Sequence, residues 1–346
     1  MTRWLICHPG PSASVGDVYE GWAEALRGLG QDVTEYNTGD RLVFYDSAYI
    51  PGEHDQYRKA FTDDDDVIEL ALNGLAAALW KARPHILLLV SAFFWDAELL
   101  EHARRAYGTT VVILHTESPY EDDRQLMTAP YADLHLVNDP VSVPKFAKVC
   151  RAVYCPHGYR PSVHFPASPG TPFRYDLAFA GSGFASRVRF LEEMGLDGLD
   201  VVLAGNWTGL PEGSPLNAHL LDGRASAITG NAEVAEMYRT MRAGINLYRR
   251  EANFEDLIEG HGIGPREVEM AACGAFFLRD PRPESDAVFG MLPSFGSAEE
   301  AGELLRWYLP KDDLRRELAA KARAAAADRT FTNHAAQVMR LLGIDS

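Results

Sequence analysis

The chain has 346 residues, 47% of them hydrophobic, with 29 glycines and 20 prolines; this suffices for two domains of ordinary size and shows no bias towards disorder. Lys and Arg total 33 against 49 Asp and Glu, a formal net charge of -16. Acidity spread over both halves excludes charge-driven wrapping of a nucleic-acid backbone but leaves room for one small basic pocket.

In chain order, WLIC (4–7) reads as a strand, followed by a Pro/Gly/Ser loop, an amphipathic helix over 18–29 and the strand DVTEY. Thr62 is the expected cap of a helix carrying Asp63, Asp64, Asp65 and Asp66 in its first turn. Four adjacent carboxylates cannot all face one ion from a regular helix, so an acidic helix start is expected there and no metal site. HILLLV after Pro84 is a near-continuous apolar run, the pattern of a strand covered on both faces. TTVVILH (109–115), ADLHLVN (132–138) and AVYCPHG (152–158) repeat it.

Residues 160–174 contain four prolines and no clear period, and the interdomain linker is expected there. The alternation then restarts with DLAFAGSG, a helix over 185–194, DVVLAGN, a helix over 232–241, AGINLYR, a helix over 266–273 and AFFLRD. Helices over 299–308 and 312–328 follow, and a last one over 333–342 is placed to cross back to the first domain. The fold class is therefore α/β, with two doubly wound Rossmann-like domains at 1–165 and 166–328 and a C-terminal helix within 329–346. No window approaches a membrane span of about eighteen uncharged apolar residues, and the first apolar run is too short for a signal peptide. A cytoplasmic protein without a transmembrane segment is expected. Cys7, Cys150, Cys155 and Cys273 form no C-x-x-C pair and read as reduced thiols.

Candidate sites follow the strand ends, where an open α/β sheet presents its ligand crevice. In AGSGFASR (180–187), Gly181, Ser182 and Gly183 permit close backbone approach to a phosphate at the next helix start, with Arg187 as an added charge. An ordinary turn beside a surface arginine is the alternative. In GIGPREVEMAACG (262–274), Pro265 suits a first helical turn, and Arg266 and Glu269 lie three apart on one face. They read either as diphosphate and ribose contacts or as a solvent ion pair. Ala271, Ala272 and Cys273 read as close packing, and Gly274 as the helix stop. His261, between glycines, is a loop histidine able to meet a hydroxyl or phosphate oxygen. In HTESPYEDD, His115, Thr116 and Ser118 are candidate acceptor contacts and Glu117 a candidate base, with structural capping as the alternative. Asp139 and His157 follow other strands and carry a similar acceptor-side expectation. No G-x-S-x-G elbow and no P-loop occurs.

LHTESP, CPHG, DLAFAGSGFASR, MYRTMRAGINLYR, GPREVEMAACGAFFLRD and ELLRWYL, in this order over about residues 111 to 343, resemble the nucleotide-sugar glycosyltransferases of the two-domain GT-B fold. The CgeB-like spore-maturation group is the best match. The resemblance implies a donor on the second domain, an acceptor on the first, the 181–183 loop near the donor phosphates, and Glu269 on the ribose. The family's first glutamate, which contacts the donor sugar, is replaced here by His261, and Met270 stands in place of an alanine.

The expected activity is glycosyl transfer from a nucleoside-diphosphate sugar, UDP- or GDP-linked, to a hydroxyl on a protein, polymer or smaller acceptor. Arg187, Arg266 and helix-end amides would stabilise the leaving diphosphate, with His261 and Glu117 also placed as catalytic candidates. The resemblance favours retention and metal independence; no permanently bound cofactor and no nonspecific nucleic-acid partner are expected. A non-catalytic nucleotide-sugar or glycan-binding module and a sugar-nucleotide epimerase are the alternatives.

Overall fold

Short runs of Val, Ile and Leu bounded by Pro, Gly and Asp build two separate parallel sheets. The computed structural model describes residues 1–8, 15–51, 57–61, 63–92, 97–227, 230–251 and 259–344. Its contacts divide the chain into one unit of Met1–Cys155 with Phe331–Ser346 and a second of Pro156–Thr330. The division falls at Cys155, so the proline-rich 160–174 stretch lies wholly within the second unit.

The strands of the first unit are β1 (Arg3–Cys7), β2 (Asp32–Tyr36), β3 (Tyr49–Pro51), β4 (Tyr57–Lys59), β5 (Ile86–Val90), β6 (Thr110–His115), β7 (Leu134–Val137) and β8 (Ala152–Tyr154). Six form one parallel sheet in the order β2-β1-β5-β6-β7-β8. All five residues of β5 are buried, as a strand covered on both faces requires. Helix Gly16–Gly28 buries Val18, Tyr19, Trp22 and Leu26. It packs beside the C-terminal helix Phe331–Leu341, part of this same unit. A Cβ on Gly21 would lie 2.2 Å from the Phe331 ring, so glycine is what lets the two helices approach.

The helix with the acidic start spans Asp64–Ala82, and its cap is Asp63, whose carboxylate accepts the Asp65 N–H at 3.0 Å. Thr62, the expected cap, lies outside the described residues. The β3–β4 hairpin and helices Thr38–Asp46 and Ala97–Tyr107 were not expected. The first two are largely exposed and so lack the apolar period that marks a core element.

In the second unit, β9 (Tyr175–Ala180), β10 (Val201–Asn206), β11 (Ser226–Ala227), β12 (Met241–Asn246) and β13 (Phe277–Arg279) are ordered β11-β10-β9-β12-β13. All pairs are parallel except β10 with the edge strand β11. The chain passes outward from β9 to β10 and then returns to the other side of β9 as β12. This reversal leaves a crevice at the carboxyl ends of β9 and β12. Around the sheet lie helices Ala185–Glu193, Asn231–Thr240, Pro265–Ala272, Pro283–Phe289, Ala298–Tyr308 and Asp312–Ala326. Among the described residues, no helix is long and apolar enough to cross a membrane. All four cysteines are free thiols; Cys7, Cys155 and Cys273 are buried, and burial pushes the thiols of Cys155 and Cys273 up to about 12.

Candidate active site

A cavity of about 650 Å³ opens in the second unit where the strand order reverses. Its walls come from the start of helix Ala185–Glu193, the residues after β12 and β13, and the loop before helix Pro265–Ala272. Arg187, Arg249, Arg250, Arg282 and His261 line it, opposed by Glu193, Glu259 and Asp280. Four arginines against three carboxylates leave the lining one positive charge in surplus, in a chain of net charge -16.

Three of the arginines are anchored as follows. Arg187 donates to the Ser182 carbonyl at 3.1 Å and lies 5.5 Å from the Phe179 ring centroid and 5.2 Å from that of Phe184. Arg250 pairs with Asp280 at 2.8 Å. Burial pushes the Asp280 carboxyl up, and Arg250 together with the Tyr248 N–H offsets only part of that. The Arg249 Nε donates to the Glu251 carbonyl at 2.7 Å.

Packing places the glycine loop. Gly183 is required by packing, because a Cβ there would sit 2.4 Å from Trp207. Gly181, Ser182 and Gly183 do not line the cavity, although the Ser182 carbonyl anchors Arg187, which does. The helix start already holds an anion: the Glu251 carboxylate accepts from Ser186 N–H at 2.9 Å and from Arg250 N–H at 3.2 Å. Partial burial raises the Glu251 carboxyl, but these backbone bonds outweigh it and hold the group below the ordinary range. An amide expected to await a phosphate therefore has an internal carboxylate partner.

Arg266 and Glu269 form an ion pair at 2.7 Å on helix Pro265–Ala272, and neither is a lining residue of the cavity. Arg266 also donates to Asn231 Oδ1 at 3.2 Å, and the Asn231 amide lies 3.2 Å from His164 Nε2. Burial pushes the Glu269 carboxyl up, yet Arg266, His164 and Asn231 outweigh it and keep it ionised. The solvent-pair alternative does not describe it, since Glu269 is only 4% exposed. Gly274, at φ +69°, ends this helix in the left-handed conformation that glycine accommodates.

The first-unit candidates are mostly structural. His115 is fully buried, its Nε2 3.0 Å from His135 Nδ1 and its ring against Phe146, so it is a core residue and not the acceptor contact expected. Thr116 is buried with its hydroxyl 2.8 Å from that of Ser91. Ser118 is clamped at its backbone by reciprocal bonds with the Asn138 amide, and its hydroxyl accepts from Gln125. Asp139 is buried and caps its own turn through Val141 N–H. Glu117 is half-buried in this unit, while half-buried His157 falls in the second unit, just past the division.

Burial and the neighbouring His135 push the His115 imidazole down to about 3, and burial also lowers His135. His115 stays neutral in the folded chain, whereas the unfolded chain takes up its proton near the ordinary value of 6.5. The contribution of His115 to stability is therefore full above about pH 6.5 and falls as pH drops below it, by on the order of 2 kcal/mol at about pH 5, and the lowered His135 adds a loss of the same sign. Urea melts at the two pH values check this. His115→Asn is expected to lose less stability than the parent over the same interval, and an equal loss would assign the acid sensitivity elsewhere.

Sequence reading passed over Tyr248, Arg249, Arg250, Asp280 and Arg282. Their signal was positional: LYRR and DPR directly follow β12 and β13.

Residues 187–340 match the family model described as "Glycosyl transferase-like". No curated protein matches the sequence. Among solved structures, the chain is similar to a sucrose-phosphate synthase from Thermosynechococcus elongatus (TM-score 0.68, 12% identity, 99% of this chain and 98% of that one). It is similar to a glycosyltransferase from Rickettsia africae (TM-score 0.62, 13% identity, 99% and 97% covered). A third similar structure is Anabaena Alr3699/HepE in complex with UDP-glucose (TM-score 0.59, 10% identity, 99% and 100% covered). Likeness at such low identity establishes architecture, and two Rossmann-like units with a C-terminal helical region give this chain the GT-B fold.

Proposed function

We propose that the protein transfers a sugar from a UDP- or GDP-linked donor to a hydroxyl acceptor, as a member of the CgeB-like group. The observation that carries this reading is the arginine-lined cavity at the strand-order reversal of the second sheet. A diphosphate there would meet Arg187 and the arginines after β12 and β13. In the transfer, the bond between the anomeric carbon and the β-phosphate oxygen breaks and its electron pair leaves with the diphosphate. The guanidinium groups stabilise that developing charge, in the role a divalent cation plays in other transferases. The acceptor oxygen bonds to the anomeric carbon, and its proton passes to the departing phosphate oxygen. Attack on the face the diphosphate leaves gives retention and needs no protein base. Glu269 holds the ribose and His261 faces the sugar.

A panel of UDP- and GDP-sugars tests the reading by thermal stabilisation, followed by mass spectrometry of acceptor products. A donor at about 100 times its Kd is expected to add about 2.7 kcal/mol to stability. Binding without turnover would favour a recognition module, and donor interconversion without acceptor would favour an epimerase. No stabilisation by any member of the panel would sink all three.

A further inference from the structure

Glu267 lies two residues before Glu269 on helix Pro265–Ala272, and residues two apart on a helix face different ways. It is fully buried, a costly place for a carboxyl group. Its two oxygens are both engaged: Ser285 Oγ donates to one at 2.7 Å and the Tyr248 hydroxyl donates to the other. Ser285 Oγ in turn accepts from Arg279 at 3.2 Å, and Arg279 pairs with Asp286 at 2.7 Å. Packing alone would be served by leucine at position 267. The carboxyl is explained by what it holds.

What it holds is a wall of the cavity. Tyr248 is fixed at its backbone by Asp280, which accepts its N–H at 3.1 Å, and at its far end by Glu267. Its ring therefore presents one face to Arg282, whose guanidinium carbon lies 3.6 Å from the ring centroid. Arg282 donates onward to the Gly262 carbonyl at 3.0 Å, next to His261. Tyr248, Arg282 and His261 all line the cavity, and Glu267 does not.

We propose that Glu267 is a positioning residue of the cavity: by gripping the Tyr248 hydroxyl it sets the ring on which Arg282 lies, and through Arg282 the backbone that carries His261. The proposal rests on the reading of the cavity as a diphosphate site. Calorimetry with inorganic pyrophosphate tests it on the full chain, using Tyr248→Phe, Arg282→Ala, the double variant, Glu267→Ala and Glu267→Gln. Arg282→Ala is expected to weaken binding about tenfold and Tyr248→Phe about fivefold, with the double variant no weaker than Arg282→Ala because both act through one guanidinium. Glu267→Gln is expected to recover most of what Glu267→Ala loses, since a carboxamide still accepts from Tyr248 and donates to Ser285. Should Glu267→Ala fail to fold, Tyr248→Phe still decides. Parent-like binding by Tyr248→Phe, or losses that multiply in the double variant, would overturn the proposal. Absence of pyrophosphate binding by the parent would instead overturn the diphosphate reading, and the proposal with it.

Discussion

Glu269→Ala is expected to weaken UDP or GDP binding on the order of 100-fold while the fold survives. The magnitude follows from two hydrogen bonds between a carboxylate and a ribose diol, together about 3 kcal/mol. Glu269 is suited to that task because Arg266, His164 and Asn231 outweigh its burial and keep it ionised. Removing it also strips Arg266 of its carboxylate partner, a change that would be severe if the arginine were fully buried. The Arg266 side chain is 30% exposed and retains Asn231, so water can replace what is lost. Calorimetry on a variant shown by its melting curve to be folded is the measurement. Unchanged nucleotide affinity would leave Glu269 as a structural counter-ion for Arg266.

The sequence made the two sheets readable because β1, β5, β6, β7, β9, β10 and β12 are short apolar runs between helical periods. It did not reveal helix Thr38–Asp46 or the β3–β4 hairpin, whose side chains are mostly exposed and carry little hydrophobic period. Site residues divided along a different line. Arg187 and His261 were visible because glycines mark their loops, and both line the cavity. The HTESP residues looked equally site-like, since polar residues at a strand end suit ligand binding and local capping alike. His115 shows the difficulty: its burial depends on Phe146 and His135, distant in sequence, and nothing near position 115 announces them. Glu267 was hidden for a similar reason. Beside Glu269 it looks like another helical carboxylate, and only the placement of Tyr248 and Ser285 gives it separate work.

The cavity also shows how an acidic chain gathers four arginines at one place. Its arginines are gathered by partners that are themselves part of the fold: the Ser182 carbonyl for Arg187, Asp280 for Arg250 and the Gly262 carbonyl for Arg282. Such anchoring fixes the donors before a ligand arrives, so little reorganisation remains when charge develops on a leaving group. Glu251 adds a counterweight, since its carboxylate occupies the amide of Ser186 at the helix start. A diphosphate reaching that amide must exchange with an anion already there.

Replacing His261 with alanine is expected to lower turnover about 100-fold while changing nucleotide affinity less than about fivefold, the pattern of a group that acts at the reacting sugar more than on the nucleotide. The backbone around it is held independently of the imidazole. Glu284 N–H donates to the His261 carbonyl at 3.1 Å, Arg282 binds the Gly262 carbonyl, and the Ile263 N–H donates to the Glu284 carboxylate at 2.8 Å. Truncation should therefore remove the imidazole without moving the loop, and the split between turnover and affinity reads the side chain alone. Single-turnover transfer and UDP or GDP calorimetry on the same variant supply the two numbers. The GT-B transferases that this chain resembles carry glutamate at this position, so His261→Glu is expected to change which donor sugar is accepted while leaving the preferred base unaltered. Equal turnover by His261→Ala and the parent would take the imidazole out of the reaction and leave the arginines as the groups facing the leaving diphosphate.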